Sequence, residues 1–196
     1  MRSKSPDLLP VFRSAAQARI LARIFLAPEG RGQSLAEISS AARAPLASVH
    51  REVDRLEGAG LVRSERVGRA RLVEADPESP LYPELRRLIL KALGPPTVLA
   101  RVLREVPGVE AAAIFGSWAA RYRGEPGPAP GDVDVLIIGA PDTGSVYRAC
   151  RSAEEELGRP VNPVVLSTEE WRAQRSGFLR TVARAPLVPV IGEVPS

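Results

Sequence analysis

Apolar residues near the start of the chain recur at helical spacing. Phe12, Ala16, Ile20 and Ile24, with Leu21 and Phe25 beside them, predict a helix over 8–26 after a loose polar start over 1–7. Pro28 and the Gly30 to Gly32 stretch end it. Ser34 followed by Glu37 forms a capping box, and the segment SLAEISSAA turns Leu35, Ile38 and Ala42 to one side. After Arg43-Ala44, Pro45 fits the first position of a third helix. In it Leu46, Val49, Val53 and Leu56 form one apolar stripe. The opposite face carries Ala47, Ser48, Arg51, Asp54 and Arg55, with His50 on its flank, and Gly58-Ala59-Gly60 stops the helix. Two strands, 61–65 and 69–73, then read as a hairpin about a Val67-Gly68 tip.

The polar, proline-bearing stretch 76–80 marks a boundary. Beyond it, 83–93 is amphipathic with Leu85, Leu88, Ile89 and Ala92 on one side, and Gly94-Pro95-Pro96 breaks it. A second amphipathic segment carries Val98, Leu99, Val102, Leu103 and Val106. This helical stretch reads either as a dimer seam or as packing for the sheet that follows. An apolar strand over 109–115, a Gly116-Ser117 turn, a short helix and a proline-rich loop lead to a strand bearing Asp132 and Asp134. Helix 145–157, strand 160–166, a helix from Thr168, a helix over 176–184 and an extended tail over 187–191 complete the chain. The fold class is α+β. The expected organisation is a domain over 1–76, linker or dimerisation helices over 77–108, and a mixed-sheet domain over 109–196.

The charge is unevenly spread. Residues 1–75 hold 13 Lys/Arg against 8 Asp/Glu, and residues 76–196 hold 14 against 15. The excess positive charge therefore falls where a nucleic-acid footprint would be sought. Three helices with a short turn between the second and third, followed by a basic hairpin, make a winged helix-turn-helix. The stretch from Ser34 to Val73 resembles bacterial ArsR- and MarR-type regulators. That resemblance implies double-stranded DNA as partner, read as a palindrome by a homodimer. The third helix would enter the major groove with Ser48, His50 and Arg51, and Arg55 lies on the same face. Arg66, Arg69 and Arg71 would meet the phosphates or the minor groove. A charged, merely solvated helix face and a protein-interaction module are the competing readings.

In the second domain, strand alternation sends Asp132 and Asp134 to one side. Neighbouring carboxylates repel unless a cation separates them, and hard oxygen ligands suit Mg²⁺ or Mn²⁺. Gly116-Ser117 at a helix start offers backbone N–H groups to a phosphate. Gly116-Ser117 followed by Asp132-Val133-Asp134 resembles the polymerase-beta-like nucleotidyltransferases, in particular their minimal and kanamycin-type members. The resemblance implies metal binding and catalysis by Asp132 and Asp134. It also implies an NTP held by Gly116 and Ser117, with Arg121 and Arg123 in reach of a phosphate. The family's third carboxylate falls at Asn162, whose neutral amide cannot take a proton from an attacking hydroxyl. Glu154, Glu155 and Glu156 read as a solvated helix face. The leading expectation is a transcriptional regulator whose second domain binds a nucleotide with little or no catalysis. The alternative is an active transferase modifying a partner toxin protein or a small molecule.

Cys150 excludes an intramolecular disulfide and reads as helix packing. No run approaches a membrane span, and no apolar signal-peptide core precedes the first helix, so a cytoplasmic protein is expected.

Overall fold

A computed structural model describes residues 12–27, 30–128 and 130–195. The expected residues 8–11 of the first helix and its stop at Pro28 lie outside them. The chain divides into two compact units, Met1–Gly94 and Pro95–Ser196. The division falls inside the 77–108 stretch.

In the first unit, α1 (Ala15–Phe25) starts at Ser14, whose side chain accepts the Gln17 N–H. β1 (Gln33–Ser34) runs into α2 (Leu35–Ala42), where Ser34 and Glu37 form the reciprocal cap that the sequence announces. Arg43 closes α2 in the left-handed region at φ 46°, and Pro45 then precedes α3 (Leu46–Gly58) as its cap, one position earlier than expected. Ile20, Ile24 and Phe25 of α1, Leu35 and Ile38 of α2, and Val49, Val53 and Leu56 of α3 share one core. Each such side chain contributes about 1.5–3 kcal/mol by leaving water. Leu46 stays outside that core and is 46% exposed, so the α3 stripe is one residue shorter than the sequence suggests.

β2 (Val62–Val67) and β3 (Ala70–Ala75) form the hairpin, with Val67 paired to Ala70. The tip is therefore Gly68-Arg69, with Gly68 at φ +60° supplying the turn, one residue later than read from sequence. β1 pairs antiparallel with β3, giving the order β1-β3-β2. α4 (Tyr82–Leu93) packs on α1 and brings Tyr82, Leu85, Ile89 and Leu93 to the same core. Leu88 sits about 100° round the helix from Ile89 and is 40% exposed, outside the stripe assigned to it.

In the second unit, α5 (Pro95–Leu103) buries Val98, Leu99 and Leu103 and packs on α7 (Thr143–Leu157) and β7 (Val188–Ile191). The remaining strands are β4 (Val109–Phe115), β5 (Val133–Gly139) and β6 (Val161–Leu166). The sheet order is β6-β5-β4-β7. β4 is antiparallel to both its neighbours, while β5 and β6 are parallel and joined through α7. Short helices α6 (Gly116–Tyr122), α8 (Thr168–Ala173) and α9 (Gly177–Arg184) complete the unit. Trp171 is buried and donates its indole N–H to the Pro195 carbonyl, 2.7 Å away. Among the described residues no helix is long and apolar enough to cross a membrane.

Candidate functional site

The first unit presents α3 and the hairpin to solvent. Because Val49 and Val53 point inward, His50 and Arg51 are exposed and Ser48 is half-buried. Arg51 reaches back to the Ser48 hydroxyl at 3.3 Å, a weak contact that a ligand could displace. Arg66 and Arg69 at the hairpin end are exposed, and among the described residues neither forms a salt bridge.

The other two predicted arginines are engaged differently. On the hairpin, Val62, Ser64 and Arg66 pair with Ala75, Val73 and Arg71, so these six residues share one face. Val62 and Val73 are buried on that face, which directs Arg71 toward α3. Its guanidinium donates to Asp54 at 2.6 Å, to Glu57 at 2.5 Å and to the Ser64 hydroxyl at 3.1 Å. Arg71 is thus a strap between hairpin and helix, and its pKa is raised, first by the hydrogen bond to Asp54. The Glu57 carboxyl lies below its usual range, first through the hydrogen bond from Ser64 and then through the Arg71 charge. Arg55 is ion-paired with Glu52, and Gln17 of α1 donates to the same carboxylate at 3.0 Å. Burial opposes ionisation of Glu52, yet the hydrogen bonds from Arg55 and Gln17 bring its carboxyl below the usual value. Of the arginines expected at DNA, Arg51, Arg66 and Arg69 thus stand outside the ion pairs of the described residues, while the three acids of α3 share Arg55 and Arg71.

In the second unit the parallel register pairs Asp134 with Asn162, and the antiparallel register pairs Asp134 with Phe115. Gly116, Asp134 and Asn162 thereby meet at the same end of neighbouring strands, and Asp132 just precedes β5. The Asn162 amide nitrogen donates to Asp132 Oδ2 and to Asp134 Oδ1, both at 3.0 Å. Gly116 has φ +71°, and a Cβ there would lie 2.7 Å from Asp134 Oδ2. Glycine adopts this φ without strain and leaves the carboxylate where it is. Ser117 is exposed at the start of α6.

Arg121 and Arg123 each donate to a backbone carbonyl. The Arg121 guanidinium donates to the Glu125 carbonyl at 2.6 Å and lies where a Cβ on Gly127 would sit. Arg123 donates to the Leu187 carbonyl at 2.9 Å. The loop after α6 supplies the partner of Arg121 and the residue before β7 that of Arg123, and neither partner is visible in the local spacing of the arginines. Trp118 is buried and stacks on Tyr122, with ring centroids 5.1 Å apart, so it serves packing. Glu154 accepts the Val161 N–H at 2.9 Å, and Glu156 is ion-paired with Arg101. Cys150 is buried, and burial, with Glu154 adding to it, pushes its thiol up to about 11, which keeps it protonated at neutral pH.

A hard cation requires oxygen lone pairs, and here the carboxamide directs N–H groups at both carboxylates. Among the described residues no group of three or more His, Cys, Asp or Glu side chains could hold a metal ion. As arranged, the cluster does not fit a cation pair.

No protein-family model matches the chain, and no curated protein matches it. Among solved structures, the crystal structure of the transcriptional regulator SlyA is similar to it at 19% identity, with a TM-score of 0.33. The match covers 43% of this chain and 58% of that one, so this chain spans little more than half the length of that relative.

Proposed function

We propose that this chain is a sequence-specific DNA-binding transcriptional regulator whose first unit is a winged helix-turn-helix acting on double-stranded DNA as a homodimer. The observation that carries the reading is the division of labour among its cations. Arg55 pairs with Glu52 and Arg71 is shared between Asp54 and Glu57, while Ser48, His50 and Arg51 lie outward on the helix and, among the described residues, Arg66 and Arg69 at the hairpin end form no ion pair. A side chain that forfeits no ion pair on binding gives its full Coulomb gain to a phosphate or base edge. In this reading α3 lies in the major groove, where a bidentate arginine contact is worth about 1–3 kcal/mol of base discrimination. The hairpin arginines hold the backbone, each steepening the salt dependence of binding by about 0.9 in log–log slope. Selection from a random duplex pool tests it, with enrichment of one palindromic site expected. A pool that emerges unenriched refutes it.

A second reading concerns the C-terminal unit: nucleotide binding at Gly116-Ser117, with transfer to a partner toxin protein or a small-molecule acceptor. The close approach of Gly116 to Asp134 favours it, since a phosphate-binding turn beside carboxylates is the arrangement such chemistry needs. It would also require the Asn162 amide to turn its carbonyl inward. Incubation with labelled NTPs and Mg²⁺ or Mn²⁺ tests it. Label transfer that disappears in the Asp132→Ala, Asp134→Ala variant would establish it.

A further inference from the structure

We infer that the Asn162 carboxamide stands in place of a cation between Asp132 and Asp134. The C-terminal unit then holds its carboxylate pair together without divalent metal, and one substitution, Asn162→Asp, converts the cluster into a cation-requiring site. The inference concerns the C-terminal cluster alone and is independent of the DNA reading.

Two carboxylates two residues apart, one just before β5 and one on it, repel each other, and something must offset that. A primary amide carries two N–H donors diverging by roughly 120°, enough to serve two acceptors at once. Here one nitrogen sits 3.0 Å from Asp132 Oδ2 and 3.0 Å from Asp134 Oδ1. Both are hydrogen bonds to ionised acceptors, which are stronger than neutral ones. The bridge is fixed by the sheet: Asn162 is the register partner of Asp134 on parallel strands, with Val133–Val161 and Val135–Pro163 on either side of that pair. On the other side, the Gly116 backbone closes over Asp134 Oδ2. Asp132 Oδ2 and Asp134 Oδ1 are therefore already partnered by the amide, and Asp134 Oδ2 lies beneath the turn.

For a cation to enter, both N–H contacts must break and the amide must rotate by about 180° to present its carbonyl. Without a cation the rotated amide would set an oxygen against two carboxylates. The bridged state is thus self-consistent in the absence of metal. An aspartate at this position has nearly the same shape but no donor. It would add a third negative charge to the pair and supply the third hard ligand at the same time.

The chain provides its own reporter. Both tryptophans, Trp118 and Trp171, are buried within the C-terminal unit, so intrinsic fluorescence follows that unit's melting. The full chain, Asn162→Asp and Asn162→Ala are melted in chelator and across a Mn²⁺ titration. The expected result is a wild-type Tm that Mn²⁺ leaves unchanged. Asn162→Asp should melt several degrees lower in chelator and climb saturably with Mn²⁺, and Asn162→Ala should melt lower in chelator than wild type. A wild-type Tm that rises saturably with Mn²⁺ overturns the inference. So does an Asn162→Asp Tm equal to wild type in chelator. Should Asn162→Asp fail to fold at every Mn²⁺ concentration, the other two chains decide. A lowered Asn162→Ala with an indifferent wild type upholds the bridge, and an unchanged Asn162→Ala removes it.

Discussion

Replacing Arg71 with alanine separates a structural arginine from a DNA-contacting one. In the folded chain its guanidinium spans from the hairpin to two acids of α3, at 2.6 Å to Asp54 and 2.5 Å to Glu57, and also donates to Ser64. The Arg71 side chain is 23% exposed, but Asp54 is 62% and Glu57 39% exposed, so water and salt screen both pairs. Exposed pairs contribute about 0.2–1 kcal/mol each, and the removal also leaves Asp54 and Glu57 repelling each other on one helix face. The expected loss is about 1–2 kcal/mol, or roughly 4–8 °C per kcal/mol for a unit of this size, read by scanning calorimetry. A double-mutant cycle with Glu57→Ala should return a coupling of about 0.5–1 kcal/mol. Because Arg71 touches no phosphate in this account, the salt slope of DNA binding should stay at the wild-type value. A variant with unchanged stability and a slope reduced by about one would show that Arg71 belongs to the DNA interface and would refute the reasoning.

Gly116→Ala should destabilise the C-terminal unit by about 2–4 kcal/mol. The left-handed φ of +71° costs a side-chain-bearing residue roughly 1–2 kcal/mol, and the new Cβ, 2.7 Å from Asp134 Oδ2, pushes that carboxylate off its hydrogen bond to Asn162. A tryptophan-fluorescence denaturation curve within about 0.5 kcal/mol of wild type would contradict it. Stability should also fall in acid through Glu37, Glu57 and Glu170, whose carboxyls lie below the usual range because Ser34, Ser64 and Ser167 hydrogen-bond to them. A depressed folded pKa means a contribution that is complete above the unfolded value of about 4.3 and is lost as pH falls through the lower folded values. In the Glu37→Gln, Glu170→Gln chain, urea midpoints measured from neutral pH downward should decline less steeply than in wild type. An identical decline would show that the two caps carry no linkage.

Local signals account for what the sequence made legible. The Ser34/Glu37 cap and the α3 stripe each lie within a few turns of chain; the cap folds as read, and the stripe does so apart from Leu46. β1 was missed because two residues are too few to show a period; it is defined only by its pairing with Val73 and Leu72 of β3. The hairpin tip moved by one residue because Gly68, rather than Val67, opens the turn. An amphipathic stripe states that a helix packs without stating on what, and so α4 joins the first core while α5 joins the second unit. That Gly116, Asp134 and Asn162 belong together was implied only by the family resemblance, whereas the bridging amide depends on the register of two strands at once. The diversion of Arg71, Arg121 and Arg123 to other partners depends on residues 4 to 64 positions away, which spacing alone does not encode. Even so, the inward alternation of Ser64 and Arg71 beside Val62 and Val73 was a visible hint.

The most direct measurement titrates the selected duplex and a scrambled one with wild type, Arg51→Ala, and the Arg66→Ala, Arg69→Ala pair. The account predicts that Arg51→Ala loses about 1–3 kcal/mol on the selected duplex while its affinity for scrambled DNA changes far less. The hairpin pair should weaken both duplexes alike, with a salt slope lower by about two. Wild-type discrimination retained by Arg51→Ala would contradict the claim that the outward face of α3 reads sequence.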